Sequence, residues 1–184
     1  MQAAQSEAAL LQAAHDRGAG TPDAWQRLWS PHRMAYIRGE SPAHDGCPFC
    51  EIPALPDEDG LVVARGEYVF AVLNLYPYNP GHLMVVPYEH LADFAALRPE
   101  VLAELSAYTQ RALQALTAVS GAQGFNVGMN LGAVAGAGIA AHLHQHVVPR
   151  WGGDTNLMPV VGQTKVLPQL LAETRELLSD AWAG

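Results

Sequence analysis

The sequence predicts an α+β fold: an antiparallel sheet of roughly five strands with one long helix and one C-terminal helix. Two observations carry this reading. Short strand-like runs follow one another through hairpin-sized connections, and a single long helical pattern interrupts them. A second, shorter amphipathic pattern closes the chain. No internal repeat is visible.

Residues 1 to 20 are rich in Ala and Gln and end in Gly18 and Gly20, so residues 1–22 read as an N-terminal appendage, helical or disordered, ahead of one domain over 23–184. Thr21-Pro22-Asp23 has the form of a helix start, and the short helix carrying Trp25, Leu28 and Trp29 ends at Pro31. Residues 38 to 60 hold Gly, Pro and acidic side chains around two cysteines and read as irregular. Leu61–Ala64 and Tyr68–Leu73 are expected strands joined at Gly66-Glu67, and Leu83–Val86 is a third strand ended by Pro87. From Pro99 to Gly121, Leu102, Leu105, Thr109, Leu113 and Leu116 recur at helical spacing. Phe125–Asn130 and His142–Val148 complete the strands. Pro168–Trp182 is the closing helix, with Leu170, Leu171, Thr174, Leu177 and Leu178 on its apolar face.

Composition narrows the function. The 184 residues are 49% apolar, enough for a real core, yet no apolar run approaches the roughly 18 residues of a membrane span. The N-terminus has no basic patch before an apolar run, so it does not read as a signal peptide, and the expected location is the cytoplasm. Ten basic against eighteen acidic residues give a net charge of −8, and Lys165 is the only lysine. A polynucleotide groove needs clustered cations, so long nucleic acid is not the expected partner. The two cysteines, Cys47 and Cys50, cannot staple a chain of this size; their spacing suits a metal knuckle or a redox pair.

The segment His142-Leu143-His144-Gln145-His146 dominates the chemistry. In extended chain, alternate side chains share a face, so the three imidazoles point one way and Leu143 and Gln145 the other. A row of imidazoles is costly to bury without partners, and a fold keeps one for metal binding, proton transfer or nucleophilic attack. The preceding stretch from Asn130 to Gly138 is mostly Gly and Ala, which lets backbone N–H groups approach an anion. Together the loop and the imidazole row point to phosphorus chemistry. A dinuclear metallohydrolase would need an Asp-His pair where Val147 and Val148 stand.

These residues resemble the histidine triad family. The likeness rests on His-x-His-x-His followed by Val147-Val148-Pro149-Arg150-Trp151, on Pro80-Gly81-His82-Leu83-Met84-Val85-Val86-Pro87, and on Asn74 and Asn130. Leu28-Trp29-Ser30-Pro31, Arg33–Ile37 and Gly152–Met158 are similar to its diadenosine-tetraphosphate phosphorylase-like branch, and the resemblance spans about residues 25 to 180. It implies a hydrolase or nucleotidyltransferase that cleaves dinucleoside polyphosphates at the α-phosphate through a nucleotidyl-histidine intermediate. His144 would be the nucleophile and His146 the stabiliser of developing charge. Asn74, His82, Asn130, Gly136, Gly138 and Trp151 would surround the substrate, with Asn74 at the ribose. The resemblance also implies one structural zinc per chain on Cys47, Cys50, His90 and His142, with His44 a competing fourth ligand, and a homodimer. Relatives carry Gln or Ser where Gly138 stands, and Trp where His32 stands. His146 in the third triad position, rather than Gln, argues against the hexose-1-phosphate uridylyltransferase branch. A nucleotide-binding or interaction module with only slow turnover is the other reading.

Overall fold

In a computed structural model the chain is described over residues 46–154 and 169–183. The expected appendage, the helix before Pro31, His15, His32 and His44 lie outside these residues. Five strands form one antiparallel sheet: β1 (Val62–Arg65), β2 (Val69–Leu73), β3 (Leu83–Pro87), β4 (Gly124–Gly128) and β5 (Gln145–Arg150), in the order β1-β2-β3-β5-β4. The segment expected to be irregular instead contains two single-turn helices, α1 (Pro48–Glu51) and α2 (Asp57–Gly60), with a 3₁₀ turn over Ile52–Ala54 between them. Proline at the first turn starts α1, and acidic residues line the first turn of α2, where they complement the helix N-terminus. The long helix α3 runs Pro99–Ser120 and stops at Gly121, whose φ of 60° is the left-handed cap. The closing helix α4 runs Leu171–Ala183.

The central strands β2 and β3 are buried at every position, so both sheet faces are covered. Val69, Ala71, Leu73, Leu83, Val85 and Val147 face the helices, packing with Val101, Leu105, Ala112, Leu116, Leu178 and Trp182. Phe70, Val72, Met84 and Val86 face the other way, against Phe49 of α1. The knuckle segment therefore closes the second face of the sheet. The helical stripes hold at Leu105, Thr109, Leu116, Thr174 and Leu178 and differ from the expected ones at single positions. Val101 is buried and Leu102 is 39% exposed, because the α3 stripe runs Val101, Leu105, Thr109, Ala112, Leu116. On α4 the buried residues are Thr174, Leu178 and Trp182, while Leu170 and Leu177 face out. The small Ala112 and Ala115, inconspicuous in a leucine pattern, are buried in the same cluster as the sheet residues.

The β1–β2 turn is held by a side chain from far along the chain: Glu104 accepts the N–H groups of Glu67, Tyr68 and Val69. In the segment before β3, Gly81 has φ 76°, a left-handed conformation that favours glycine, and a Cβ there would lie 2.9 Å from Leu116 Cδ2 and displace that methyl. Among the described residues no helix is long and apolar enough to cross a membrane.

Candidate active site and metal cluster

The last paired strand begins later than expected. β5 starts at Gln145, where Val85 pairs with Gln145, Met84 with His146 and Leu83 with Val147, so His142 and His144 precede the ladder. The partner strand explains this, since it ends at Pro87, which has no N–H to donate, and the Pro87 carbonyl is taken by the His142 ring at 2.8 Å. The alternation nevertheless holds. Gln145 donates to Thr109 of α3 on the helical side (2.6 Å), while Phe49 packs on both His142 and His144 on the other. Neighbouring rings of His144 and His146 lie 4.9 Å apart at 81°.

Hydrogen bonds assign each imidazole a tautomer. His144 Nδ1 is 2.8 Å from the carbonyl oxygen of His142, which only accepts, so Nδ1 carries the proton and Nε2 keeps a lone pair. Burial holds this ring below the ordinary imidazole pKa of 6.5, while the bond to the His142 carbonyl opposes the shift; the neutral form is favoured. The opposite assignment follows for His146. The backbone N–H of Tyr78 donates to His82 Nδ1 at 3.1 Å, and the Asn74 amide nitrogen lies 3.3 Å from the same atom. His82 Nδ1 is thus an acceptor and its Nε2 carries the proton. That proton points along the 3.0 Å contact to His146 Nδ1, leaving His146 with its own proton on Nε2. The Asn74 orientation is itself fixed, since its oxygen accepts from Tyr76 N–H at 2.9 Å. Adjacent imidazoles, one carrying an Nε2 lone pair and one an Nε2 proton, are suited to attack and to donation respectively.

The other predicted residues fall unevenly. Asn74 and His82 meet at the end of β2 and the start of β3, and His82 is fully buried. Asn130 lies just beyond β4 rather than within it; since Gly128 pairs with His146, the chain leaves the sheet beside the triad. The loop after it winds into a 3₁₀ turn over Ala133–Ala135, with Gly132 at φ 83° and Gly136 at φ 89°. The Gly136 N–H bonds Ala133 O at 2.9 Å, and the N–H groups of Ala135 and Ala137 return to Gly132 O, so these amides close the loop on itself. Trp151 is not brought to the triad within this chain. It follows the far end of β5, its indole donating to Ser120 O at the end of α3 (3.1 Å). Three groups with a part in the site gave no signal of their own in the sequence. They are the Pro87 carbonyl, the Tyr78 N–H with its ring 4.6 Å from His82, and Phe49.

Cys47, Cys50, His90 and His142 converge: their donor atoms all lie within 4.8 Å of one another. His142 Nδ1 is 3.3 Å from Cys47 Sγ and 3.6 Å from Cys50 Sγ, and His90 Nδ1 is 3.2 Å from Cys50 Sγ. Tetrahedral zinc, with bonds of about 2.3 Å to sulfur and about 2.0 Å to nitrogen, sets its donors roughly 3.3–3.8 Å apart. The Pro87 carbonyl holds the His142 ring by Nε2–H, which leaves Nδ1 unprotonated toward the thiols, as a ligating imidazole requires. Both cysteines are free thiols. The donor set is able to hold a metal ion.

A five-stranded antiparallel sheet with three alternating imidazoles at the head of one strand and a Cys₂His₂ cluster built on the first of them defines a histidine triad protein. The chain belongs to the HIT domain family, whose model matches residues 56–153. It is 55% identical over 176 residues to a Mycobacterium tuberculosis (strain H37Rv) protein named AP-4-A phosphorylase, covering 91% of this chain and 90% of that protein. Among solved structures it is similar to a Zn-bound histidine triad family protein from Mycobacterium smegmatis, with TM-score 0.61 and 29% identity, covering 75% of this chain and 94% of that one. A hypothetical histidine triad nucleotide-binding protein from Sulfolobus tokodaii also superposes at TM-score 0.61, with 26% identity over 74% of this chain and 92% of that one.

Proposed function

We propose that this protein cleaves dinucleoside polyphosphates of the diadenosine tetraphosphate type at an α-phosphate, with inorganic phosphate as the acceptor. The observation that carries the chemistry is the pair of opposed tautomers on His144 and His146. In the first step the His144 Nε2 lone pair attacks the α-phosphorus; an N–P bond forms and the P–O bond to the departing nucleotide breaks. The His146 Nε2–H stabilises charge developing on the phosphate and leaving oxygens. In the second step the acceptor oxygen attacks the same phosphorus and the N–P bond breaks, returning His144 to its starting state. Dividing one displacement into two in this way is nucleophilic catalysis. Asn74 takes the ribose hydroxyls, and Asn130 and the Gly136–Gly138 loop border the phosphates. Trp151 keeps a substrate role in this reading only if its end of β5 is carried to a site by another protomer.

The acceptor is favoured by the name of the mycobacterial relative, and product analysis tests it. Diadenosine tetraphosphate with added phosphate should yield ADP and ATP; AMP and ATP in equal amounts, unaffected by phosphate, would make the enzyme a hydrolase. Binding without any products would favour the nucleotide-binding module. The metal held by Cys47, Cys50, His90 and His142 is proposed to be zinc, one per chain, in a closed four-ligand set with no open position for substrate. Thiolate ligands accord with a reducing cytoplasmic location. Residues 1–22 remain proposed as an appendage to a domain over 23–184.

We also propose a homodimer. β4 is an edge strand whose Asn126, Val127 and Gly128 are exposed, Val127 by 47%, and an exposed apolar edge is ordinarily covered. Sedimentation at micromolar concentration should give about twice the chain mass. A monomer there would remove this part of the reading.

A further inference from the structure

We infer that Phe49 is a positioning residue that couples the Cys/His cluster to the ring of His144. Phe49 stands between the two sulfur donors, on the single turn of α1 whose first carbonyl, that of Cys47, accepts the N–H groups of Cys50 (2.9 Å) and Glu51 (3.2 Å). Its side chain is 3% exposed and is backed by Phe70, Val72, Met84 and Val86 of the sheet. From that seat the ring meets His142 edge-on, centroids 5.5 Å apart at 67°, and His144 at 4.9 Å and 43°. One aromatic ring thus touches both a donor of the cluster and the imidazole that follows it by two residues.

Two connections therefore reach His144 from the cluster. His142 presents Nδ1 to the thiols while its backbone carbonyl accepts the His144 Nδ1–H. The second is Phe49, which limits how far the His144 ring turns away from that carbonyl. A rotated ring loses the bond that keeps its proton on Nδ1, and the tautomer with the proton on Nε2 has no lone pair there. A metal held by Cys47 and Cys50 would fix the turn that carries Phe49, so loosening the cluster would loosen the wall behind His144.

The test compares wild type, Phe49→Ala and Phe49→Leu, each checked for one zinc per chain by elemental analysis, using ¹⁵N-histidine NMR to read the His144 tautomer. Wild type should show a single Nδ1–H tautomer. Phe49→Ala with full zinc content should show a mixture of tautomers, and Phe49→Leu should lie between. The rate of forming the nucleotidyl adduct should fall about 10- to 100-fold in Phe49→Ala, the scale of a modest misplacement, with nucleotide affinity within about threefold of wild type. A single wild-type tautomer and wild-type rate in Phe49→Ala overturns the coupling. If Phe49→Ala loses its zinc or melts, the same result in zinc-loaded Phe49→Leu overturns it. Chelating wild type at low temperature should reproduce the tautomer mixture, and an unchanged His144 signal in folded, zinc-free protein would sever the link to the cluster. The rate readout rests on His144 being the nucleophile; the tautomer readout does not. A tautomer shift without any adduct on His144 in wild type would keep the coupling and reject the nucleophile.

Discussion

Replacing His144 with alanine should lower turnover by at least about 10³-fold while nucleotide affinity stays close to wild type, since loss of a nucleophile closes the covalent route. Affinity is expected to come from the base and ribose contacts, Asn74 among them, none of which the substitution touches. The neighbouring change, His146→Ala, withdraws a positioned donor and should cost roughly 10²-fold. The structure explains why the two differ. His144 is buried and pinned by the His142 carbonyl with its lone pair at Nε2, whereas His146 is half-buried and held as a donor through His82. Acid-quenched wild-type protein incubated with substrate should carry its adduct on His144 by mass spectrometry. An adduct mapped elsewhere, or normal turnover by His144→Ala, reassigns the nucleophile.

Removing the proposed zinc should have the next largest effect. Cys47→Ser, or prolonged chelation, is expected to cost at least about 3 kcal/mol of stability, because the unfolded chain has no preformed site and metal binding adds directly to folding. For a chain of this length that corresponds to a fall in Tm of roughly 6–12 °C. The four donors come from α1, the turn after β3 and the approach to β5, so their loss unties three separate segments of the second sheet face. The loss should exceed that of His90→Ala, since His90 is exposed whereas Cys47 is half-buried beside His142. Calorimetry with parallel zinc analysis checks both. Zinc-free protein from zinc-replete growth, melting with the wild-type Tm, would reject the structural metal.

Much of this site was legible one residue at a time. Histidines at 142, 144 and 146 read as one face by the alternation of extended chain, and they share one even though the ladder starts only at Gln145. The long helix and its glycine stop were equally plain, because Pro99 and Gly121 act through backbone conformation that any sequence carries locally. Spacing marks only Cys47 and Cys50 as a metal or redox pair, and the two histidine ligands follow from the family likeness: nothing in His90 by itself marks it as a ligand, and only the fold brings it 3.2 Å from Cys50.

What the sequence determined by itself was chemistry and periodicity: which residues bear imidazole and thiol, and which stretches are helical or extended. Those follow from local backbone geometry and side-chain type. Which way each proton points was decided only by tertiary structure. The His142 carbonyl, the Tyr78 N–H and the Asn74 amide are groups that many residues carry, and they assign tautomers only once folding places them about 3 Å from a ring nitrogen. The seat of Phe49 was likewise hidden. A phenylalanine between two cysteines reads as ordinary core until the sheet brings residues 142 and 144, more than ninety positions on, against its ring. Single positions on α3 and α4 differ from the expected stripes for the same reason: a leucine faces solvent when its neighbour's angle around the helix fits the sheet better, and only the docked helix has that angle.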